Sequence, residues 1–474
     1  MLVGLLLAAC APPTELVGAL SPTDAHAAVF TAARATLLTC AAPDGAEPRR
    51  RDIAEAPVTL RGLLADTAYT CVAEGPNGPS EPVTLTTPPL PASLALPEVT
   101  VPGDDADVGF HLVNLARLTD PESDIPDFFT DEFLVLFDAE GRPRWQLEDE
   151  GGGDIDATWL PDGRVLFGGY GADGSTAPTI VTLDGEVDWR ADDTISSAGQ
   201  VPSSWHHDVG LGADGATVWA LSQESTAFDD DAAWEGFVIQ QIDLATDDVL
   251  WSWSSVEDGV AQGALAAGGP GDTSPYHANA VWDAVEADGA KVYVSLRNPD
   301  QVLRIDVATR GVDLVVGVGG DLALLGPDGA PAPDTDWFFG QHDAKRVGDR
   351  LVVYDNGFSR TAYGAAAYSR ALVLVLDEAA GTARIETAWR GDTDWTSPAW
   401  GGLDLRADGR LDLAIGNFWW ADRESAQRSA LALLAPTGDG DVTVEWRLDF
   451  PEREAALYRS DRVDPCAVFG VACP

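Results

Sequence analysis

Lysine is almost missing from this chain. Lys291 and Lys345 are the only two in 474 residues, whose 29 basic and 77 acidic side chains give a formal net charge of −48. A surface of that sign repels phosphate backbones and anionic lipid, which argues against nucleic acid or an acidic membrane as partner. An anionic small molecule would need a local pocket of positive charge set against the global field. No stretch approaches the ~20 apolar residues of a membrane span, and no GxxxxGK[ST] loop is present to cradle a nucleotide. Cysteine is scarce, at five, and none follows a CxxC or Cys/His zinc spacing. Histidine is scarce as well, at six.

Turn formers are plentiful instead, with 48 glycines and 31 prolines, and few stretches carry the apolar stripe of a helix. The pattern predicts an all-β chain. Its N-terminus, MLVGLLLAAC, is apolar, and Leu7-Ala8-Ala9-Cys10 resembles a bacterial lipobox with Cys10 as the lipidated residue. The segment lacks a positive n-region and is short, so a plain secretory signal is the alternative. Either way the expectation is an exported protein of the cell envelope, an outer-membrane lipoprotein or periplasmic, touching a membrane only through a lipid anchor. The other cysteines, Cys40, Cys71, Cys466 and Cys473, then favour disulfides over metal. Sequence order suggests Cys40–Cys71 and Cys466–Cys473.

Five segments follow. Residues 1–20 read as signal and tether. Residues 21–88 alternate short apolar runs with Gly/Pro/Asn turns, as a small β-sandwich does. Within them LRGLLADTAYTCVAEG, followed by TLTTPPLP, resembles a fibronectin type III domain, with Tyr69 capping a sheet corner and Cys40–Cys71 linking the two sheets. Residues 89–103 are a Pro-rich linker. Residues 104–460 repeat, and 461–474 form a tail with a small loop between Cys466 and Cys473.

One repeated element is an apolar run, an Asp, a turn and a strand ending in Trp, as in FLVLFDAEGRPRW, IVTLDGEVDW and IQQIDLATDDVLWSW. It occurs in six copies, two of them imperfect. Between the copies lies a second hairpin with a DG-type turn: DATWLPDGRVLFGG, HDVGLGADGATVWALS, HANAVWDAVEADGAKVYVSLRN, HDAKRVGDRLVVYDNG and GGLDLRADGRLDLAIGN. Two hairpins per copy predict four strands per blade and a six-bladed β-propeller. In such a fold one repeat position converges on a central channel, and aligning the turns puts Asp156, His207, His277, His342 and Gly402 there. Strand alternation predicts that only one of His206 and His207 faces the channel, and the alignment selects His207. The same rule turns Asp208 and Asp343 away, in structural roles. His26 and His111 are single occurrences and read as structural.

Three convergent imidazoles can ligate a metal such as zinc, serve as acid, base and nucleophile, or line a polar channel. Here PYHANAVWDAVEADGAKVYVSLRNPDQVLRID and FGQHDAKRVGDRLVVYDNGFSR resemble the bacterial arylsulfate sulfotransferases. The resemblance rests on Gln341-His342 with Asp355-Asn356-Gly357, on His277, Asn279, Ser295 and Arg297, and on His207. It is strongest over 205–360. It implies transfer of a sulfuryl group from an aryl sulfate to a phenol, with no nucleotide sulfate donor, cofactor or metal. His342 would be the nucleophile of a ping-pong reaction, Arg297 would grip sulfuryl oxygens, and His277 and His207 would share acid, base and oxygen-binding roles. Asn279, Asn356 and Asn417 are candidate substrate-binding residues. Trp419 with Trp420, or Trp337 with Phe338, are candidates to stack on an aryl ring. Most other tryptophans recur at the repeat period and read as packing between blades. The sequence FSR after DNG, with Arg360, departs from the family pattern. Competing functions are a metal- or quinone-using propeller oxidoreductase and a non-catalytic surface scaffold. Arg297 beside three histidines suits an oxyanion better than a divalent cation.

Overall fold

The computed structural model describes residues 14–43, 49–54, 57–118, 129–149, 156–170, 176–191, 205–227, 233–268, 274–391, 395–420, 428–437, 441–452, 454–464 and 469. Cys10, Cys466 and Cys473 lie outside them, as do the side chains of Asn417, Trp419 and Trp420. The chain divides into two compact units: residues 1–92 with 142–146 and 463–474, and residues 93–141 with 147–462. No described helix is long and apolar enough to cross a membrane.

The first unit holds two sheets. Glu15–Leu20, Ala28–Ala33 and Val58–Leu60 form one; Leu37–Ala41 and Ala68–Gly75 centre the other. Alternate residues of these strands, among them Phe30, Leu38 and Leu60, are buried in a common core. Cys40 and Cys71 form a disulfide, with sulfurs 2.04 Å apart. They sit directly opposite each other on neighbouring strands of one sheet, so the bond ties two strands and does not link the two sheets as expected. Tyr69 is buried, and its hydroxyl accepts from the Leu64 amide at 2.9 Å, closing a corner.

The second unit is a β-propeller. Its described residues form six sheets, each built around four antiparallel strands, one of them with the short edge strand Ala323–Leu325 added in parallel. The hairpins ending in tryptophan supply outer strands, because Val, Ile and Leu on both faces suit a strand packed between two neighbouring sheets. Trp446, Trp253 and Trp189 then reach into the next sheet's turn. Their indole N–H groups bond the Ala139 carbonyl at 2.8 Å, the Arg310 carbonyl at 3.0 Å and Asp247 at 2.6 Å. Trp446 and Trp253 are fully buried, and an aromatic of this size removes ~150–250 Å² from water, worth several kcal/mol at ~25 cal/mol/Å².

The DG-turn hairpins supply the inner strands Ala157–Trp159, Trp205–Leu211, Ala278–Glu286, His342–Val347 and Gly402–Leu405, which pack side by side in that order. The remaining sheet takes its innermost strand from the other end of the chain: Ala455–Val463 pairs beside Phe110–Leu118. That strand runs past residue 460, where a tail was expected to begin. In the last sheet Glu98–Val101 adds to the outer edge, antiparallel to Val442–Phe450. Early and late segments therefore share sheets, which covers edges that would otherwise be exposed.

Candidate active site

Strand alternation fails where the site is built. In Trp205–Leu211, Trp205 pairs with Ser222 but Val209 with Ala220, so His206, His207 and Asp208 stand against Leu221 alone. His342–Val347 carries a similar irregularity after His342, and Ala278–Glu286 one after Ala278. His207 and Asp343 take left-handed backbone angles at these bulges, with φ of 63° and 47°, and His277 takes one, 47°, just before its strand begins. Non-glycine residues rarely adopt that region, and bulges re-aim side chains.

The result is a cluster. The His207 and His277 rings lie 4.7 Å apart, edge to face. His342 is close enough to feel the charges of Arg297, His277 and Arg459. The Arg297 amide donates to the His277 carbonyl at 3.1 Å, so the hairpin register itself sets the cation beside that histidine. Arg297 also donates to the Pro398 carbonyl at 3.2 Å and to Asn298 at 3.1 Å. The four residues expected to converge do so.

His342 is held by one side chain. Its Nδ1 lies 2.8 Å from Asn356 Oδ1, while the Asn356 amide nitrogen donates to the Ser397 and Trp400 carbonyls at 2.9 and 3.0 Å. Because that nitrogen is committed twice, Oδ1 faces the ring and the proton sits on His342 Nδ1. The lone pair is on Nε2. Asn356 is fully buried, so its role is to hold His342 and not to touch substrate as expected. Asn279 is likewise buried and donates to the Gln341 carbonyl at 2.7 Å, next to His342. Gln341 reaches back to Ser295, Leu296 and Gln301, which locks the two sheets together.

Burial depresses every imidazole here. His342 and His207 fall well below the ordinary value, through burial first and then nearby cations and rings. For His342 the largest such charge effect is that of Arg297, partly offset by the bond to Asn356. His277 is lowered to about 3 by burial, then by Arg297. All three are neutral at pH 7, which leaves Nε2 of His342 with an unprotonated lone pair.

Beneath them lies Arg459, from the strand Ala455–Val463. Its guanidinium is 3.0 Å from Asp156, 3.0 Å from Asp208 and 3.8 Å from Asp343, and it donates to the Asn279 carbonyl. Asp343 also pairs with Lys345 at 3.0 Å. Asp208 and Asp343 therefore turn inward, contrary to the alternation argument, because the bulges shift the register by the residue that separates the two faces. They do keep a structural task. Asp208 accepts from the Val281 amide at 2.6 Å, Asp343 from the Leu403 amide at 3.0 Å and Asp461 from the Trp159 amide at 2.7 Å. Each is a staple to the next sheet. At Gly402 a Cβ would lie 2.7 Å from the Asp343 carboxylate, so the position aligned with the histidines carries no side chain and leaves room for it.

The site is thus a buried neutral imidazole near two more imidazoles and the Arg297 guanidinium, above a second arginine whose charge is matched by carboxylates. That set suits a singly charged oxyanion. The arylsulfotransferase family model (Arylsulfotransferase, ASST) matches residues 116–411. The chain belongs to the arylsulfotransferase family. No curated protein matches it. Among solved structures, a putative 6-phosphogluconolactonase from Bacteroides fragilis aligns at 12% identity over 94% of this chain and 99% of that one, with a TM-score of 0.37. The β-propeller domain of Myceliophteria thermophila Cps50 (Swd1) aligns at 11% identity over 74% and 98%, with a TM-score of 0.35.

In this arylsulfotransferase Arg360 plays no part at the histidines. It is fully buried, bonded to Asp355 at 2.5 Å and stacked 4.1 Å over Tyr368. Gly357 has φ 67°, and a Cβ there would sit 1.8 Å from the Tyr368 carbonyl oxygen, which explains the glycine of DNG. Trp337 and Phe338 belong to the core and are not placed to stack on an aryl ring. His26 and His111 bond Leu63 at 2.8 Å and Ser460 at 3.1 Å and are structural, as expected. Two site residues escaped the sequence argument. Arg459 sits in a strand with no DG turn, because its hairpin partner lies at the other end of the unit. His206 was set aside by the alternation rule that the bulge breaks.

Proposed function

We propose that this arylsulfotransferase moves a sulfuryl group from an aryl sulfate to a phenol through a sulfurylated His342, without a nucleotide donor. The observation that carries the reading is the Asn356 clamp, which leaves His342 Nε2 as a lone pair beside Arg297. In the first half-reaction Nε2 forms a bond to sulfur while the sulfur–aryl oxygen bond breaks. The ring keeps its Nδ1 proton and becomes cationic, and Asn356 Oδ1 stabilises that charge. Arg297 offsets negative charge on the peripheral oxygens, where sulfuryl transfer, like phosphoryl transfer, spreads it. In the second half the acceptor phenol loses its proton to a flanking histidine, its oxygen attacks sulfur, and His342 departs neutral. We also propose export to the cell envelope, with Cys10 as a lipid anchor; the Cys40–Cys71 disulfide fits an oxidising compartment.

The test is incubation with 4-nitrophenyl sulfate and phenol, with and without chelator. Nitrophenol release that survives chelator, is lost in His342→Ala, and leaves ³⁵S on the protein when no acceptor is added supports the reading. Turnover without labelled protein, or none with any aryl sulfate, rejects it.

A further inference from the structure

His206 and His207 are joined by a contact that a regular strand forbids. Their Nδ1 atoms lie 2.7 Å apart and their rings meet nearly perpendicular, at 87°. The three-against-one bulge makes this possible, and His207 accepts a left-handed φ of 63° to achieve it. Strain of this kind costs on the order of 1–3 kcal/mol and persists where the surroundings over-determine it.

We propose that His206 is a positioning residue that makes His207 the proton carrier of the reaction, by accepting the His207 Nδ1–H and steadying the imidazolium that forms. The inference rests on the sulfuryl-transfer reading and assigns the acid/base role that it leaves between His207 and His277.

Two nitrogens this close need one proton between them. We place that proton on His207 Nδ1, with His206 Nδ1 as the acceptor and His206's own proton on its buried Nε2, which has no other partner among the described residues. The Nε2 of His207 then carries the lone pair. Around His207 stand His277, His342 and Arg459 from neighbouring strands, the Tyr458 ring at 6.5 Å, and Asp208 on its own strand, already bound to Arg459 and the Val281 amide. The cations and burial keep the pair uncharged at rest, with His206 lowered to about 4. A bound aryl sulfate brings the negative charge that lets His207 hold a second proton.

The protons balance over one cycle. With donor bound, His207 carries protons on both nitrogens. Its Nε2–H passes to the departing phenolate oxygen as the sulfur–oxygen bond breaks, and His207 returns to neutral. The acceptor phenol then gives its proton to the same Nε2 as its oxygen attacks sulfur, and the imidazolium releases that proton to solvent as the sulfated product leaves, matching the proton taken up when the donor bound. Throughout, His207 Nδ1–H donates to His206. A carboxylate in place of His206 would do the same task but add negative charge beside the sulfate. A neutral imidazole orients without repelling it.

The test uses the full chain with His206→Phe, which keeps a ring but no acceptor, and His206→Gln, whose carbonyl can accept. Phenyl sulfate releases a phenol of pKa about 10 and needs the proton; 4-nitrophenyl sulfate does not. His206→Phe should lose about 10²-fold in kcat/KM with phenyl sulfate and change by less than about threefold in nitrophenolate release. His206→Gln should recover part of the loss. Equal losses with both donors would show a merely structural role and overturn the proposal. In ¹⁵N-histidine-labelled protein His207 should carry its proton on Nδ1 and titrate at lower pH in His206→Phe. His207 resonances unchanged by that substitution overturn the pairing even if no aryl sulfate is ever turned over, so the two failures are told apart.

Discussion

A buried histidine is usually a poor place to keep a charge, and His342 turns that into an advantage. Free imidazole has a pKa of about 6.5, so at pH 5 only about 3% would be unprotonated and nucleophilic. In this site burial and Arg297 lower His342 well below that value. The sign follows directly: a depressed histidine pKa means the neutral form persists as pH falls. The nitrophenol burst from 4-nitrophenyl sulfate should therefore keep its rate constant from pH 8 down to about 5, where a solvent-exposed imidazole would slow about 30-fold. Stopped-flow absorbance corrected for nitrophenol ionisation reads this directly. An acid limb centred near 6.5 would mean that His342 is solvated or is not the nucleophile. The three site histidines were legible as residues because one rare type recurs at one position of a repeat. Their hydrogen-bond partners were not, since Asn356 acts across a hairpin and His206 only through a bulge.

At the level of strands, the bulges separate what could be read from what could not. The tryptophan hairpins and DG-turn hairpins follow from period-two patterning and turn chemistry, and the sheets contain them. A bulge adds a residue without altering either signal, so Asp208 and Asp343 looked outward on paper and point inward in the structure. Arg459 was hidden for a different reason: its sheet closes by joining the two ends of the unit, which no local pattern announces. These residues form the staples between inner strands, and their value can be measured. Asp343→Ala leaves the Leu403 amide without its acceptor and removes a buried partner of Lys345 and Arg459. Breaking a buried pair from one side costs about 3 kcal/mol or more. Urea denaturation followed by tryptophan fluorescence should show that loss in Asp343→Ala and a smaller one in Asp343→Asn, which retains an acceptor for Leu403. Equal, near-zero effects would mean that the inner strands are held by their ladders alone.

Over the whole molecule, charge sets the terms on which a substrate arrives. The chain carries a formal −48, and an aryl sulfate is an anion, so the far field opposes the encounter while Arg297 favours the last step. Arg459 adds little net attraction because Asp156, Asp208 and Asp343 surround it. Salt shortens the reach of the far field from about 30 Å at 0.01 M to about 8 Å at 0.15 M, and it screens the half-buried Arg297 less. For the anionic donor, kcat/KM should therefore rise with sodium chloride over that range, on the order of tenfold. The dependence on a neutral phenol acceptor should stay nearly flat, because an uncharged molecule feels neither field. Steady-state rates at fixed pH, with donor and acceptor varied in turn, distinguish the two terms. A donor kcat/KM that falls with salt would mean that the local positive field outweighs the global one, and that substrate is drawn in despite the acidic surface.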